Sequence, residues 1–334
     1  MPGAAPDILK FSGILGQQKA KELLQRTVSR NKISHAFLFR GAAGVGKKTT
    51  AKAFAALINC LTPRNREACG LCSSCRKLKA GSHPDFMMVQ PEGAGIKISQ
   101  IRALRQALTF PPYEGRYRIA LLTDIHTMRR EAANSMLKTL EEPPPDTVLI
   151  LTGEEATGIL PTILSRCQVI PFYPLPVGMV AEALVQTRDL APEPARTLAA
   201  VAEGSLGRAE LLLETDLLTV RQEIIEKLTR LEPDDPRTIE TVYQLAETAA
   251  RLKENLPELL ELLKSWLHDL TLTAHGITEN LMNRDLLHSH PATGRRWNLM
   301  QLSAKIQKIA QAEKQLNRNC NRALICEVLF FGLL

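Results

Sequence analysis

The chain has 334 residues, 45% of them hydrophobic and 23% charged, with a net charge of +7 and seven cysteines. That length suits two or three domains, and the apolar–charged balance is that of a soluble globular protein, which excludes a disordered or fibrous chain. The longest apolar runs, such as ALICEVLFFGLL, fall short of the ~20 residues that span a membrane, and MPGAAPDILKFSG has no signal-peptide pattern, so a cytoplasmic location is expected.

In chain order, GQQKAKELLQRTVSR has helical spacing and HAFLF is a short buried strand. The strand runs into GAAGVGKKTT, and KKTTAKAFAALINC continues as a helix. After a cysteine-rich insert, DFMMVQP reads as a strand and IKISQIRALRQALTF as a helix with Ser99 at its N-cap. RYRIALLT is a strand, EAANSMLKTLEE a helix stopped by PPP, and TVLILTG a further strand. This alternation predicts an α/β domain, a parallel sheet with helices on both faces. The character changes near Pro174. No glycine occurs from Arg208 to His275, and TVYQLAETAARLKENLPELLELLKSWLHDL keeps helical spacing throughout. A small helical module is expected over about 175–214 and an all-α domain over 215–334, after an α/β domain over 1–174.

GAAGVGKKTT resembles a phosphate-binding loop, G-x-x-x-x-G-K followed by Ser or Thr. Gly41, Gly44 and Gly46 would let backbone N–H groups approach an anion at a helix N-terminus, and Lys47 would reach the outer phosphates. The residue that should carry the Mg²⁺-binding hydroxyl is Lys48, and Thr49 is turned about 100° away. The second half of such a site is an acid pair at a strand end. Here Thr123-Asp124-Ile125 supplies one acid in either register. Both halves are defective, which predicts doubtful ATP or ADP binding and no hydrolysis.

Cys60, Cys69, Cys72 and Cys75 lie in CLTPRNREACGLCSSC. Four thiolates at this spacing can wrap one tetrahedral zinc ion, while a redox pair or unpaired thiols are the alternative. A full set of four ligands leaves no open position for a catalytic water, so the expected zinc is structural. His83 lies nearby as a spare ligand. Cys167, Cys320 and Cys326 read as ordinary buried thiols.

GQQKAKELL, HAFLFRGAAGVGKK, the cysteine insert, SHPDF, PPYEGRYRIALLTD, ANSMLKTLEEPP and ILSRCQ occur in that order. Together they resemble the AAA+ subunits of the bacterial DNA polymerase III clamp loader, densely in the α/β domain and more loosely beyond it. LNRNCNRALICEVLFFGLL is similar to that family's last collar helix. The resemblance implies an AAA+ P-loop domain with a zinc insert at about 60–75, a helical lid and a helical collar for oligomerisation. Its implied partners are gamma/tau and delta subunits, the sliding clamp and, through the complex, primer-template DNA. Details favour a non-motor member. Thr123-Asp124 falls where motors carry Asp-Glu, and Gly207 occupies the place of a nucleotide-sensing arginine, with Arg208 one position late. The family's S-R-C arginine acts in trans on a neighbour's ATP, which implies that role for Arg166. On its residues alone, Arg166 is a surface salt-bridge residue. Thr152 falls at a polar sensor position, and equally reads as a strand-end hydroxyl capping backbone. His126 is a packed strand-end histidine or a remnant of the motor pattern. Basic residues at helix starts either face duplex phosphates or are simply solvated. The rival readings are a gamma-like ATPase and a zinc-module DNA-binding protein.

Overall fold

A computed structural model describes residues 9–93, 95–154, 159–232, 235–279, 281–286, 297–316, 318 and 320–334. Its contacts divide the chain into two compact units, Met1–Leu175 and Pro176–Leu334.

In the first unit, α1 (Gln18–Ser29), β1 (Ala36–Arg40), α2 (Lys47–Ile58), α3 (Ser73–Lys79), β2 (Phe86–Val89) and α4 (Ile98–Leu108) come first. They are followed by β3 (Arg118–Leu122), α5 (Arg130–Glu141), β4 (Thr147–Gly153), the one-turn α6 (Pro161–Leu164) and β5 (Gln168–Pro171). The five strands are parallel in the order β2-β3-β4-β1-β5. Period-two alternation sorts their side chains. Phe37, Phe39, Ile119, Leu121, Val148 and Ile150 join one core with α2 and the cysteine insert. Ala36, Leu38, Ala120, Leu122, Leu149 and Leu151 join the other, under α4 and α5. Helices thus cover both faces, as the alternating pattern predicts. The strand ends that follow β1, β3 and β4 share one edge, where parallel α/β sheets place their ligands.

Three local features depart from the sequence reading. Ser99 does not cap α4: the N-cap is Lys97, whose backbone N–H donates to Gln100 Oε1 at 2.9 Å. The gain is that Gln100, three residues on, serves the orphan amide more directly than a serine inside the first turn. The fifth strand, Gln168–Pro171, was not expected. It pairs with β1 alone at the sheet edge, and only Ile170 is buried. The cysteine insert contains a helix of its own, α3, capped by Cys72.

The second unit is helical: α7 (Val177–Arg188), α8 (Pro192–Val201), α9 (Leu206–Glu214), α10 (Leu217–Arg230), α11 (Arg237–Arg251) and α12 (Leu256–Ala274). It closes with α13 (Leu299–Leu316) and α14 (Arg322–Gly332). A buried polar network ties 281–286 to it. Arg221 on α10 is fully buried, donates to Asn283 Oδ1 at 2.8 Å and pairs with Asp285. Asn283 in turn donates its backbone and side-chain amides to Asp269 Oδ2 on α12 at 2.7 and 2.8 Å. Helices α11 and α14 pack together and expose one apolar face: Ile239 and Tyr243 on the first, Leu324, Val328 and Phe331 on the second. The Tyr243 and Phe331 rings meet edge to face at 5.5 Å, which makes that face continuous. No helix among the described residues is long and apolar enough to cross a membrane.

Candidate functional site

The loop after β1 has the backbone of a phosphate cradle. Gly44 and Gly46 take φ of +70° and +97°, a region L-residues avoid. A Cβ on Gly41 would stand 2.4 Å from Phe172 O, so only glycine lets the loop lie against the end of β5. Lys47, 7% exposed, donates Nζ to Gly41 O at 2.7 Å and Ala42 O at 2.6 Å. Burial lowers its pKa, and the Glu154 and Asp124 charges partly offset that. Lys48 is exposed, and the buried Thr50 spends its hydroxyl on Gly46 O at 2.8 Å. The hydroxyl that should hold Mg²⁺ is missing from this geometry.

The facing strand end is equally short of acid. Thr123 at the end of β3 is buried, and its hydroxyl has no partner among the described residues. Asp124 adopts φ +54° and starts a short turn, with Thr127 Oγ1 donating to its carbonyl at 2.8 Å. Thr152 Oγ1, at the end of β4, accepts the Asp124 amide at 3.2 Å, which is the backbone-capping role open to it from sequence. His126 sits half-buried in the turn, 3.9 Å from Glu154.

Arg166 follows α6, on the stretch between β4 and β5. Its Nη2 lies 2.7 Å from Glu141 Oε1, at the last residue of α5. Its Nη1 donates to Thr162 O and Ser165 Oγ, both at 3.1 Å. The guanidinium is about one-third exposed. In the second unit, Arg208 is bound on two sides, by Glu258 at 2.5 Å and Glu203 at 2.7 Å, and these ion pairs hold its guanidinium cationic against the pull of burial.

The four cysteines converge. The Sγ atoms of Cys60, Cys69, Cys72 and Cys75 all lie within 4.8 Å of one another, so the group could hold a metal ion. Local backbone sets them up. Asn65 and Arg66 both have positive φ, making the tight turn that pairs Arg64 with Glu67. Glu67 anchors that turn by accepting from the Ser12 amide and hydroxyl at 2.7 and 2.9 Å. Backbone N–H groups of Cys69, Leu71, Cys72 and Cys75 then point at sulfur, at 3.2 to 3.5 Å. Hydrogen bonds from Thr62, Leu71 and Cys72 pull the Cys69 thiol down to about 5, while burial pushes Cys60 and Cys75 up. Four thiolates cannot share one small volume without a cation, and soft sulfur ligands in this number fit zinc's tetrahedral preference. His83 is not among them. Its ring nitrogens meet Ser74 Oγ at 3.0 Å and the Asp85 amide at 3.1 Å, and burial keeps it neutral. Of the three other thiols, Cys326 is buried, Cys167 half-buried and Cys320 exposed. The expectation of burial fails at Cys320 because it lies in the turn just before the α14 N-cap, Asn321.

The motifs SHPDF and PPYEGRY meet in space, which sequence reading alone does not reveal. Asp85 is fully buried, and its carboxylate accepts from the amides of Tyr113, Glu114 and Gly115 at 2.7, 2.9 and 2.8 Å. Asn59 at the end of α2 exchanges two hydrogen bonds with Tyr117. A Cβ on Gly115 would press on Asn59 Nδ2 at 2.7 Å. Both motifs stand in the sequence as part of the family resemblance, but neither marks Asp85 as the acceptor of three amides.

Parallel sheet, glycine cradle and opposing strand end define a P-loop-type α/β protein whose loop lysine donates to carbonyls of its own loop. Comparison with known proteins specifies it further. A family model described as DNA polymerase III, delta subunit, matches residues 16–176, and one for that subunit's C-terminal part matches 215–333. DNA polymerase III subunit delta' of Bacillus subtilis is 29% identical over 305 residues, covering 91% of this chain and 92% of that protein. Subunit delta' of Pseudomonas aeruginosa is 32% identical over 316 residues, covering 89% and 90%. The Escherichia coli tau subunit is 32% identical over 201 residues, 59% of this chain and 31% of tau. The chain belongs to the delta prime family of DNA polymerase III subunits.

Proposed function

We propose that this chain is the non-hydrolysing stator of the DNA polymerase III clamp loader. In this reading it sits beside a gamma or tau motor, contributes Arg166 to that neighbour's ATP, and joins the ring through its helical C-terminal part, with the lid and collar divided near residue 214. The assembled complex, with delta, places the sliding clamp on primed DNA. The observation that carries the reading is the incomplete metal-binding set: Lys48 stands where the Mg²⁺-binding hydroxyl belongs and Thr123 where a carboxylate belongs, while Lys47 donates to Gly41 O and Ala42 O of its own loop. Arg166 supports it from the other side, as a permanently charged, flat donor about one-third exposed. In other phosphoryl-transfer enzymes an arginine on the developing charge is worth roughly 10³–10⁵ in rate. Cys60, Cys69, Cys72 and Cys75 would hold zinc, which supplies no reactive position and cross-links the insert.

The test is reconstitution with a gamma-type motor, a delta subunit, clamp and primed DNA, comparing the wild type with Arg166→Ala. The expected outcome is normal assembly and a loss of DNA-stimulated hydrolysis at the adjoining site. Unchanged hydrolysis in the variant complex would remove the in-trans role.

A further inference from the structure

The placement of Glu141 is unfavourable by itself. It is the last residue of α5, where the helix macrodipole presents negative partial charge and a carboxylate is disfavoured. Glu142 follows it, so two acids end this helix. Glu141 is nevertheless the residue that meets Arg166, at 2.7 Å, with both side chains partly in water. The other acceptors on the guanidinium, Thr162 O and Ser165 Oγ, both bind Nη1. Those two hydrogen bonds use two of the five N–H groups an arginine offers, and Glu141 faces Nη2 as an ion pair. The N–H groups on Nη2 and Nε make no hydrogen bond among the described residues, and a phosphate takes two in parallel.

We propose that Glu141 is a positioning residue for Arg166. It pairs with Nη2 while Ser165 and Thr162 hold Nη1, biasing the set of the guanidinium and leaving N–H groups for a phosphate on an adjacent subunit. The inference rests on the in-trans role of Arg166. An exposed ion pair suits this task because it is weak: it biases the rotamer of a long side chain, yet yields when a doubly charged phosphate competes for the same cation. A buried pair would hold the arginine too tightly to share it.

The experiment uses the reconstituted complex with Glu141→Gln, Arg166→Ala and the double variant, scoring assembly by size exclusion and hydrolysis against ATP concentration. Glu141→Gln keeps shape and removes charge. The expected result is intact assembly, an unchanged KM for ATP, and turnover at the adjoining site reduced about two- to five-fold, the scale of one exposed pair. In the Arg166→Ala background the same change should have no further effect. Wild-type turnover in Glu141→Gln, or an equal loss in both backgrounds, would overturn the positioning role while leaving Arg166 in place. If Arg166→Ala alone hydrolyses normally, the underlying reading fails and this inference with it.

Discussion

At Asp85, one carboxylate serves three amides that reach it from 28 to 30 residues away. Burial works to raise its pKa, but those amides outweigh it, and the pKa is lowered. A depressed folded pKa means stability that is present above the ordinary carboxylate range and drains away as pH falls through the folded value. Asp85→Asn is therefore expected to destabilise the protein by about 1–3 kcal/mol at pH 7. The gap from wild type should narrow in acid, as urea midpoints at pH 7 and pH 3 would reveal. Among the cysteines, ligation and capping can be separated. Cys72 both faces the other sulfurs and caps α3 by accepting the Cys75 amide. Serine is a good N-cap and a poor zinc ligand. Cys72→Ser should thus keep the helix start and lose bound zinc, from one per chain to background in metal analysis.

At the level of elements, the apolar face of α11 and α14 has the geometry of a surface awaiting a partner. Leu324, Val328 and Phe331 recur at helical spacing and are exposed. Val328→Asp is expected to change the chain's own stability by about 0.5 kcal/mol or less, because the side chain faces water. In reconstitution the same change should weaken assembly, read as loss of the complex on size exclusion. How far the elements could be read from sequence followed from burial. Strands β1, β3 and β4 are buried almost end to end, so their apolar runs stand out. Strand β5 hides only Ile170 and ends in proline, so no period of either kind marks it. Helix α3 has seven residues, too few for a periodic signal, and owes its position to a cysteine cap. The phosphate loop was legible as a loop with a defect. That its lysine turns inward was not, because a carbonyl acceptor leaves no trace in a motif. The Arg221–Asn283–Asp269 network escaped for a related reason: it joins residues far apart whose types are ordinary at a surface.

For the whole molecule, the first unit keeps the sheet and glycine loop of a P-loop protein, with Lys48 and Thr123 at the positions where a metal-binding hydroxyl and carboxylate would stand. The isolated chain is expected to show no ATP turnover above background, measured as phosphate release with and without primed DNA. A gamma-like motor would release phosphate. A metal on the four cysteines would act on the insert more than on the sheet. Asn59 and Tyr117 close a loop of 58 residues. A metal tying Cys60 to Cys75 would bypass about a quarter of that path. Closure entropy depends only logarithmically on length, so the shortcut is worth about 0.3 kcal/mol. That is too little to matter to the folding of the sheet. Stripping the metal should consequently loosen the insert while the sheet around it still forms. The reach of such a metal would be outward, to the ground on which Leu61 and Leu71 stand exposed to solvent.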